Sequence, residues 1–468
     1  MDFFLILAGF ILISAIITLL VKKFTKHDTF YLISLIKSKK PLSFFDKMAK
    51  HKKFIDWFST IGLILGFGAI AIDFVYGKNI SKLKRVLLFI FSFSGLSLFF
   101  IGFDNLLGGI FSNNILIGSY YPLLVVSFGL MGLAGFTLFS LCIQALDIVS
   151  KYLLGIKSCP GVAPLIPGVE IPGVPITPPL HAWLSLLIIL LVHEGMHGIV
   201  GRRHGFKVKS TGVILFGFLP IGAFVEPDEK ELEQADDKKL ISFLAAGPMA
   251  NITLMCIVAV FFMGATALVE PTTEYFYPGL QNNFFEGVEI DEVLEETGFC
   301  GSVYSAPAFG EFEKGDKIKQ INGVEINSPS NVFSELQKNK FEEKEFLLER
   351  NKKEILIALE PNALGQFGFF PKGIQNETIV IPESYYLYAT SVGLFIEFIY
   401  WLMLLNFLVA AINFLPLHPF DGGRISKIIF APYIKGKKSK KEAQEQVAKI
   451  FKIIILGLFL INALPLFF

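Results

Sequence analysis

The sequence predicts a multi-span α-helical membrane protein of about eight transmembrane helices, with an inserted small β-rich domain and a membrane-associated β-hairpin. Three observations predict it. The 468-residue chain is 53% hydrophobic and only 18% charged, with a mean hydropathy of +0.58, which excludes an ordinary soluble globular protein. Apolar stretches of bilayer-spanning length recur near 3–21, 59–76, 86–103, 122–148, 181–200, 240–268, 386–411 and 448–467. A block richer in charge, 275–363, interrupts them between the sixth and seventh.

The first stretch reads as a retained span. Asp2 stands where a cleavable signal would carry basic residues, and no small-x-small cleavage site follows. The loop 22–55 is dense in lysine (Lys22, Lys23, Lys26, Lys37, Lys39, Lys40, Lys47, Lys50, Lys52, Lys53) and is therefore expected in the cytoplasm. Counting spans from there puts 201–239 and 424–447 on the same side, and both are basic at their membrane edges. Both termini, 150–180 and 269–385 are then outside. The loop with Lys78, Lys82, Lys84 and Arg85 disagrees, since the count puts it outside. The weakest spans are 59–76, with Asp73, and 386–411, whose Glu397 makes it the candidate for a break.

Between spans, Pro160 to Pro179 is punctuated by Pro160-Gly161, Pro167-Gly168, Pro172-Gly173 and Pro178-Pro179, so it is expected to run as an extended connector rather than a helix. Val208 to Pro227 is apolar and β-prone, but Pro220 and several glycines make it a poor span. Within 275–363, Lys344–Glu349 and Glu354–Leu359 read as strands, and Asn322-Gly323 marks a tight turn between two more.

The net charge of +1, with no basic tract interleaved with aromatics, argues against a nucleic-acid partner. Cys142, Cys159, Cys256 and Cys300 show no C-x-x-C spacing. Cys142 and Cys256 fall within spans, whereas Cys159 and Cys300 share one compartment, which permits a disulfide without requiring one.

The chemistry concentrates at His193-Glu194-Gly195-Met196-His197, inside an apolar run. Residues four apart share a helix face, so His193 and His197 can ligate one ion, and Glu194 stands one step round. The alternative is a polar cluster that ties helices together, but ionisable groups at membrane depth are costly and usually functional. A zinc site needs a third protein ligand. Asn413-Phe-Leu-Pro416-Leu-His418-Pro419-Phe-Asp421-Gly422-Gly423 ends a span with two prolines and two glycines, and such broken backbone is tolerated only where it is buried or lines a wet cavity. Asp421 is the ligand candidate, with a helix N-cap as its alternative. His418 is a candidate supporting residue. His27, His51, His181 and His204 are expected to be solvated.

His193-Glu194-x-x-His197, Gly247-Pro-Met-Ala-Asn251 and Asn413-x-x-Pro416 with Asp421-Gly422 together resemble the site-2 protease family of intramembrane zinc metalloproteases. The likeness covers about 181–467. Gly315-Asp316 and Ile321-Asn322-Gly323 resemble a PDZ domain, although no Gly-Leu-Gly-Phe-type loop is evident. The resemblance implies one Zn2+ per chain held by His193, His197 and Asp421, with Glu194 as general base and acid. Asn251 or Asn413 would steady the oxyanion, while Gly247 reads as a helix-packing residue. It implies a substrate that is the transmembrane segment of another protein, reached from the lipid bilayer. Because the span with His193 and His197 ends at the expected cytoplasmic boundary, the active site is expected towards the cytoplasmic side of the cell membrane.

The comparable segment in relatives is a re-entrant hairpin, whose edge can pair with an unwound substrate. The domains expected are an N-terminal transmembrane region of about four spans (1–150), a Pro/Gly-rich extracytoplasmic loop (151–180), a first part of the catalytic core (181–268), an extracytoplasmic PDZ-like domain with linkers (269–385) and a second part of the core (386–468). Two rivals stand beside this reading. One is a membrane zinc peptidase of the prenyl-protein processing type, which takes a glutamate as third ligand. The other is an inactive PDZ-containing scaffold.

Overall fold

The computed structural model describes residues 3–24, 28–77, 80–106, 118–171, 174, 176–217, 219–278, 284–299, 302–434 and 439–467. Asp2, Lys26, His27, Lys78, Pro172, Gly173, Cys300 and part of the basic stretch 424–441 lie outside these. The chain falls into two compact units: 1–147, 161–262 and 397–464 form the first, and 148–160, 263–396 and 465–468 the second.

The first unit is built from helices. Helix α1 (Phe3–Phe24) covers the first expected span and leads through strands β1 (Asp28–Phe30) and β2 (Ile33–Ser38) to a short α2 (Lys40–Met48). Then come α3 (Lys52–Tyr76), α4 (Lys82–Leu106), α5 (Tyr121–Leu153) and α6 (Ala182–Arg203). Strands β3 (Val208–Phe216) and β4 (Leu219–Pro227) and a short α7 (Glu229–Glu233) lead to α8 (Asp237–Phe276). Among the described residues, seven helices are long and apolar enough to cross a membrane: α3, α4, α5, α6, α8 and two further ones at 383–414 and 440–466. They overrun the apolar stretches because charged residues at the ends, such as Lys52 and Lys53 in α3, Arg202 and Arg203 in α6 and Asp237 in α8, continue the helix. The 40 residues of α8 rise about 60 Å, twice the core thickness.

The breaks fall elsewhere than expected. The helix carrying Glu397 is continuous over Glu383–Phe414. Instead α3 breaks at Gly68 (φ 59°, ψ −148°) and α5 at Gly132 (φ 56°, ψ −145°), a backbone state open to glycine. In α5 the break reverses the chain. The ring of Phe100 lies 4.8 Å from that of Phe128, 6.1 Å from that of Tyr121 and 5.5 Å from that of Phe136. Tyr121 and Phe136 would stand about 22 Å apart on a straight helix, so α5 is a helical hairpin with its tip at Met131-Gly132.

Helix α3 has the same break, and both of its ends attach to one side of the unit. Asp56 accepts a 2.6 Å bond from Arg203, at the end of α6. Asp73, buried, accepts a fork from Arg85 at 2.5 Å and a 2.9 Å bond from the Tyr433 hydroxyl. Arg203 and Tyr433 belong to the same side: His204 bonds Ser242 early in α8, and Asp237, which opens α8, bonds Lys440 at the start of the last helix. A straight α3 would hold Asp56 and Asp73 about 25 Å apart along its axis. It turns back at Gly68 instead, and its tip packs against that of α5, since a Cβ on Gly68 would meet Gly132 N at 2.7 Å.

The expected β-hairpin is present and larger than expected. Strands β1-β2-β3-β4 form one antiparallel sheet in that order, with Ile36 opposite Val213 and Thr211 opposite Val225. The lysine-rich loop thus supplies half the sheet, with β2 paired to β3 along its length. Between Pro160 and Pro179 the described residues carry no helix, but the chain doubles back rather than running extended, with Gly168 N–H donating to Pro178 O at 2.8 Å.

The second unit is β-rich, as expected. Strands β5 (Phe285–Val293), β6 (Glu296–Phe299), β7 (Ser302–Ser305), β8 (Lys317–Ile321) and β9 (Val324–Glu325) precede helix α9 (Pro329–Gln337). Strands β10 (Lys344–Arg350), β11 (Lys353–Leu359) and β12 (Phe369–Gln375) follow. The main sheet runs β11-β10-β8-β5-β12, with β9 on β8. Asn322 and Gly323, at φ 50° and 76°, turn β8 into β9 as the Asn-Gly pair predicted. Val288, Ile290, Ile318, Phe346 and Leu348 form its core. Buried Asp316 accepts a fork from Arg350 at 2.8 and 2.7 Å. Cys159 is disulfide-bonded, and Cys142 and Cys256 are free.

The remaining helices are α10 (Glu383–Phe414), α11 (Asp421–Phe430) and α12 (Lys440–Ala463). The β2–β3 pairing is testable by cross-linking. Opposed strand positions have Cβ atoms about 4.5–5.5 Å apart, within reach of a disulfide after slight adjustment. In a chain with Cys142→Ser and Cys256→Ser, the pair Ile36→Cys and Val213→Cys should cross-link on mild oxidation, whereas Ile36→Cys with Phe216→Cys should not.

Candidate metal centre

The candidate site is assembled from α6, α8 and the segment that joins α10 to α11. Near its C-terminal end α6 turns His193 and His197 inward, one helical turn apart, with 5% and 6% of their surface exposed. Helix α10 ends at Phe414, and the Leu415–Phe420 segment redirects the chain so that Asp421 opens α11. The N-cap alternative for Asp421 is not what the chain adopts: Phe420 holds that position, and no side chain caps the helix.

Asp421 Oδ2 lies 3.4 Å from His193 Nε2 and 3.2 Å from His197 Nε2, and the two Nε2 atoms are 3.1 Å apart. Ligands about 2.0–2.2 Å from a tetrahedral ion stand about 3.3–3.6 Å from one another, so the spacing fits a metal of zinc's size and geometry. Among the described residues this is the one group of three His, Cys, Asp or Glu side chains close enough to share an ion.

Two neighbours shape the triad. His197 Nδ1–H donates to Phe243 O at 2.8 Å, so the Nε2 lone pair points at the other two ligand atoms, the tautomer that ligation requires. Gly247 on α8 is the floor of the site. A Cβ there would stand 2.6 Å from His193 Nε2 and closer still to His197 Nε2. Helix packing alone does not account for this glycine, because it keeps clear the volume beside both imidazoles.

The other predicted residues are placed as follows. Glu194 Oε2 accepts a 2.9 Å bond from Val225 N on β4, which ties the side chain to the sheet. Asn251 is wholly buried, with its Nδ2 atom 3.0 Å from His193 Nδ1. Asn413 is not brought to the triad, because its Nδ2 donates to Val409 O of its own helix at 2.9 Å. His418 is exposed, next to the cis bond to Pro419. His51 is exposed, but His204 bonds Ser242 and is half-buried, and burial together with Arg203 holds its imidazole below the ordinary value. His181 packs near Phe398 with a buried Nε2, so neither of these two is solvated as expected. Sequence reasoning missed Phe243, since a backbone carbonyl carries no sequence signal, and the contact of Glu194 with Val225.

The fold and site define a multi-helix membrane protein with a buried two-histidine, one-carboxylate centre. Residues 181–458, more than half the chain, match the model of Peptidase family M50, and the chain belongs to that family, whose members are zinc metalloproteases of membranes. The chain is also 31% identical over 259 residues to the uncharacterized protein MJ0971 of Methanocaldococcus jannaschii. The aligned part spans 55% of this chain and 59% of that protein.

The space beside Gly247 is directly testable. Gly247→Ala should weaken zinc binding about tenfold or more, measured as metal content after dialysis against graded chelator, while the purified protein stays monodisperse in detergent. Undiminished zinc retention would show that the Cβ is accommodated away from the imidazoles.

Proposed function

We propose that this protein is an intramembrane zinc endopeptidase that cuts a peptide bond within or near the transmembrane segment of a membrane-protein substrate. The observation that carries the reading is the convergence of His193, His197 and Asp421, the last 224 residues beyond His197, inside a bundle of membrane-length helices. Glu194 adjoins this triad on the same helix. His193, His197 and Asp421 would hold one zinc ion, which supplies Lewis acidity to polarise the scissile carbonyl and to ease deprotonation of water. Glu194 takes the proton from the attacking water and delivers it to the departing amine. Its bond to Val225 N–H fixes the carboxylate against strand β4. With Asp421 as the carboxylate of the triad, this reading is favoured over the prenyl-processing type, which needs a glutamate there. The intact Glu194 favours it over an inactive scaffold.

Strand β4 is an edge of its sheet and lies beside α6. A substrate segment that has unwound can add to that edge, which supplies backbone partners for the hydrogen bonds that unwinding exposes. Substrates weakened by Gly, Pro or Asn near the cut should therefore be favoured. The β-rich unit serves as an extracytoplasmic PDZ-like filter for substrates already trimmed outside.

The orientation proposed from the lysines gains consistency from the turned-back helices. If α3 enters and leaves on the cytoplasmic side, the loop with Lys82, Lys84 and Arg85 is cytoplasmic too, and the sole exception to the positive-inside count disappears. The α5 hairpin then dips from the outer side. Helices α1, α4, α6, α8, α10 and α12 remain as crossings.

Two measurements test these statements. Glu194→Gln should lower cleavage of a model transmembrane substrate by about 10²–10⁴-fold with zinc content unchanged; normal cleavage would refute the mechanism. Ser81→Cys, in a chain with Cys142→Ser and Cys256→Ser, should react with a membrane-impermeant maleimide only from the cytoplasmic face. Labelling from outside would restore α3 as a full crossing.

A further inference from the structure

We infer that Asn251 is the positioning residue for His193, holding the imidazole in its metal-binding tautomer by accepting the Nδ1–H proton with its amide oxygen. This inference rests on the metal site proposed above. His197 shows what such a site requires: its Nδ1–H is fixed by Phe243 O, which leaves Nε2 with a lone pair for the ion. His193 presents Nε2 to the same place, 3.1 Å from His197 Nε2 and 3.4 Å from Asp421 Oδ2, so its Nδ1 must also carry a proton and needs an acceptor.

The group that meets His193 Nδ1 is the Asn251 amide, wholly buried, with one terminal atom at 3.0 Å. With Nδ2 at that position, the amide would donate to Nδ1 and force the imidazole proton onto Nε2, where ligation is impossible. Its Oδ1 then lies buried without a donor. A half-turn about the Cβ–Cγ bond direction exchanges the two atoms. Oδ1 then faces Nδ1–H, the orphaned oxygen gains its partner, and Nε2 keeps its lone pair. The unpartnered position passes to the amide nitrogen, so the choice is made by the metal: only this orientation leaves Nε2 with its lone pair for ligation.

The arrangement also explains the spacing Gly247-x-x-x-Asn251. One turn of α8 brings both residues to the same face. Gly247 clears space beside the Nε2 atoms, and Asn251 reaches the opposite nitrogen of His193. The oxyanion role expected for Asn251 is a different one, because it would act on the substrate rather than on a ligand. The two are separable by experiment.

The test uses full-length protein in detergent, with zinc affinity measured by chelator competition and cleavage of a model transmembrane substrate measured in parallel. Asn251→Leu removes the acceptor at similar volume and should weaken zinc binding about 10–100-fold. Asn251→Asp keeps an acceptor oxygen and should hold zinc within a few-fold of the parent. Thermal unfolding of both metal-free variants controls for a loss of fold. If the leucine variant binds zinc like the parent but has lost kcat, the amide acts on the substrate and the inference is overturned. If leucine and aspartate weaken zinc equally, the amide merely fills space, and the inference is also overturned. His193→Ala is the control for the site itself: if it retains full zinc affinity, the proposed metal centre fails, whatever Asn251 does.

Discussion

Two imidazoles and a carboxylate are packed within hydrogen-bonding distance of one another inside a bundle of membrane-length helices, and the surrounding elements are constrained by the need to keep them there. Unpaired polar groups in an apolar interior are costly, so each one demands a fixed partner. Phe243 supplies a carbonyl to His197, and Asn251 meets His193. A helix that continued past Phe414 would carry Asp421 away from the pair. The chain therefore breaks there and restarts at Asp421, and prolines and glycines become necessary in that segment.

The N-terminal region lies outside the family match, yet it is part of the same packed body. Phe58, Phe67 and Phe128 share one buried cluster with Leu244, Ala246 and Phe414. The tip of α3 reaches the helices that carry the site: Gly62 lies against Met249 and Ala245, and the Phe67 ring is 6.2 Å from that of Phe414. Two helices that turn back at glycines place bulky aromatics beside the helices that carry the site. The fork between Arg85 and buried Asp73, joined by Tyr433, then ties the returning arm of α3 to the end of the helix that Asp421 begins.

The four-stranded sheet couples the lysine-rich loop to the site in another way. Strand β2, itself paired to the outer strand β1, braces β3, and β4 is left as the edge nearest α6. Because Val225 sits opposite Thr211 and donates its N–H to Glu194, the position of the proposed general base depends on the register of the sheet. A one-residue slip would reverse which groups face the helix.

Much of this was legible in the sequence because it rests on local periodicity and on residues too costly to be idle. The membrane-length helices, the β-rich insert and the pairing of His193 with His197 follow from hydropathy, turn residues and the four-residue helical repeat; Val208–Pro227 reads only as β-prone, and its hairpin comes from the family resemblance. Three features were not legible for the same physical reason: each depends on contacts between residues far apart in the chain. Gly68 and Gly132 look like ordinary helix-packing glycines until the rings of Tyr121 and Phe136 are seen against Phe100. Strand β2 is a short apolar run until β3 completes it. Asn251 and Asn413 are equal candidates by motif, and only packing turns one to His193 and leaves the other on Val409. Composition and spacing determined which groups are present and which local helices or strands they favour; the side-chain packing of distant segments decided which helices reverse and which nitrogen meets which oxygen.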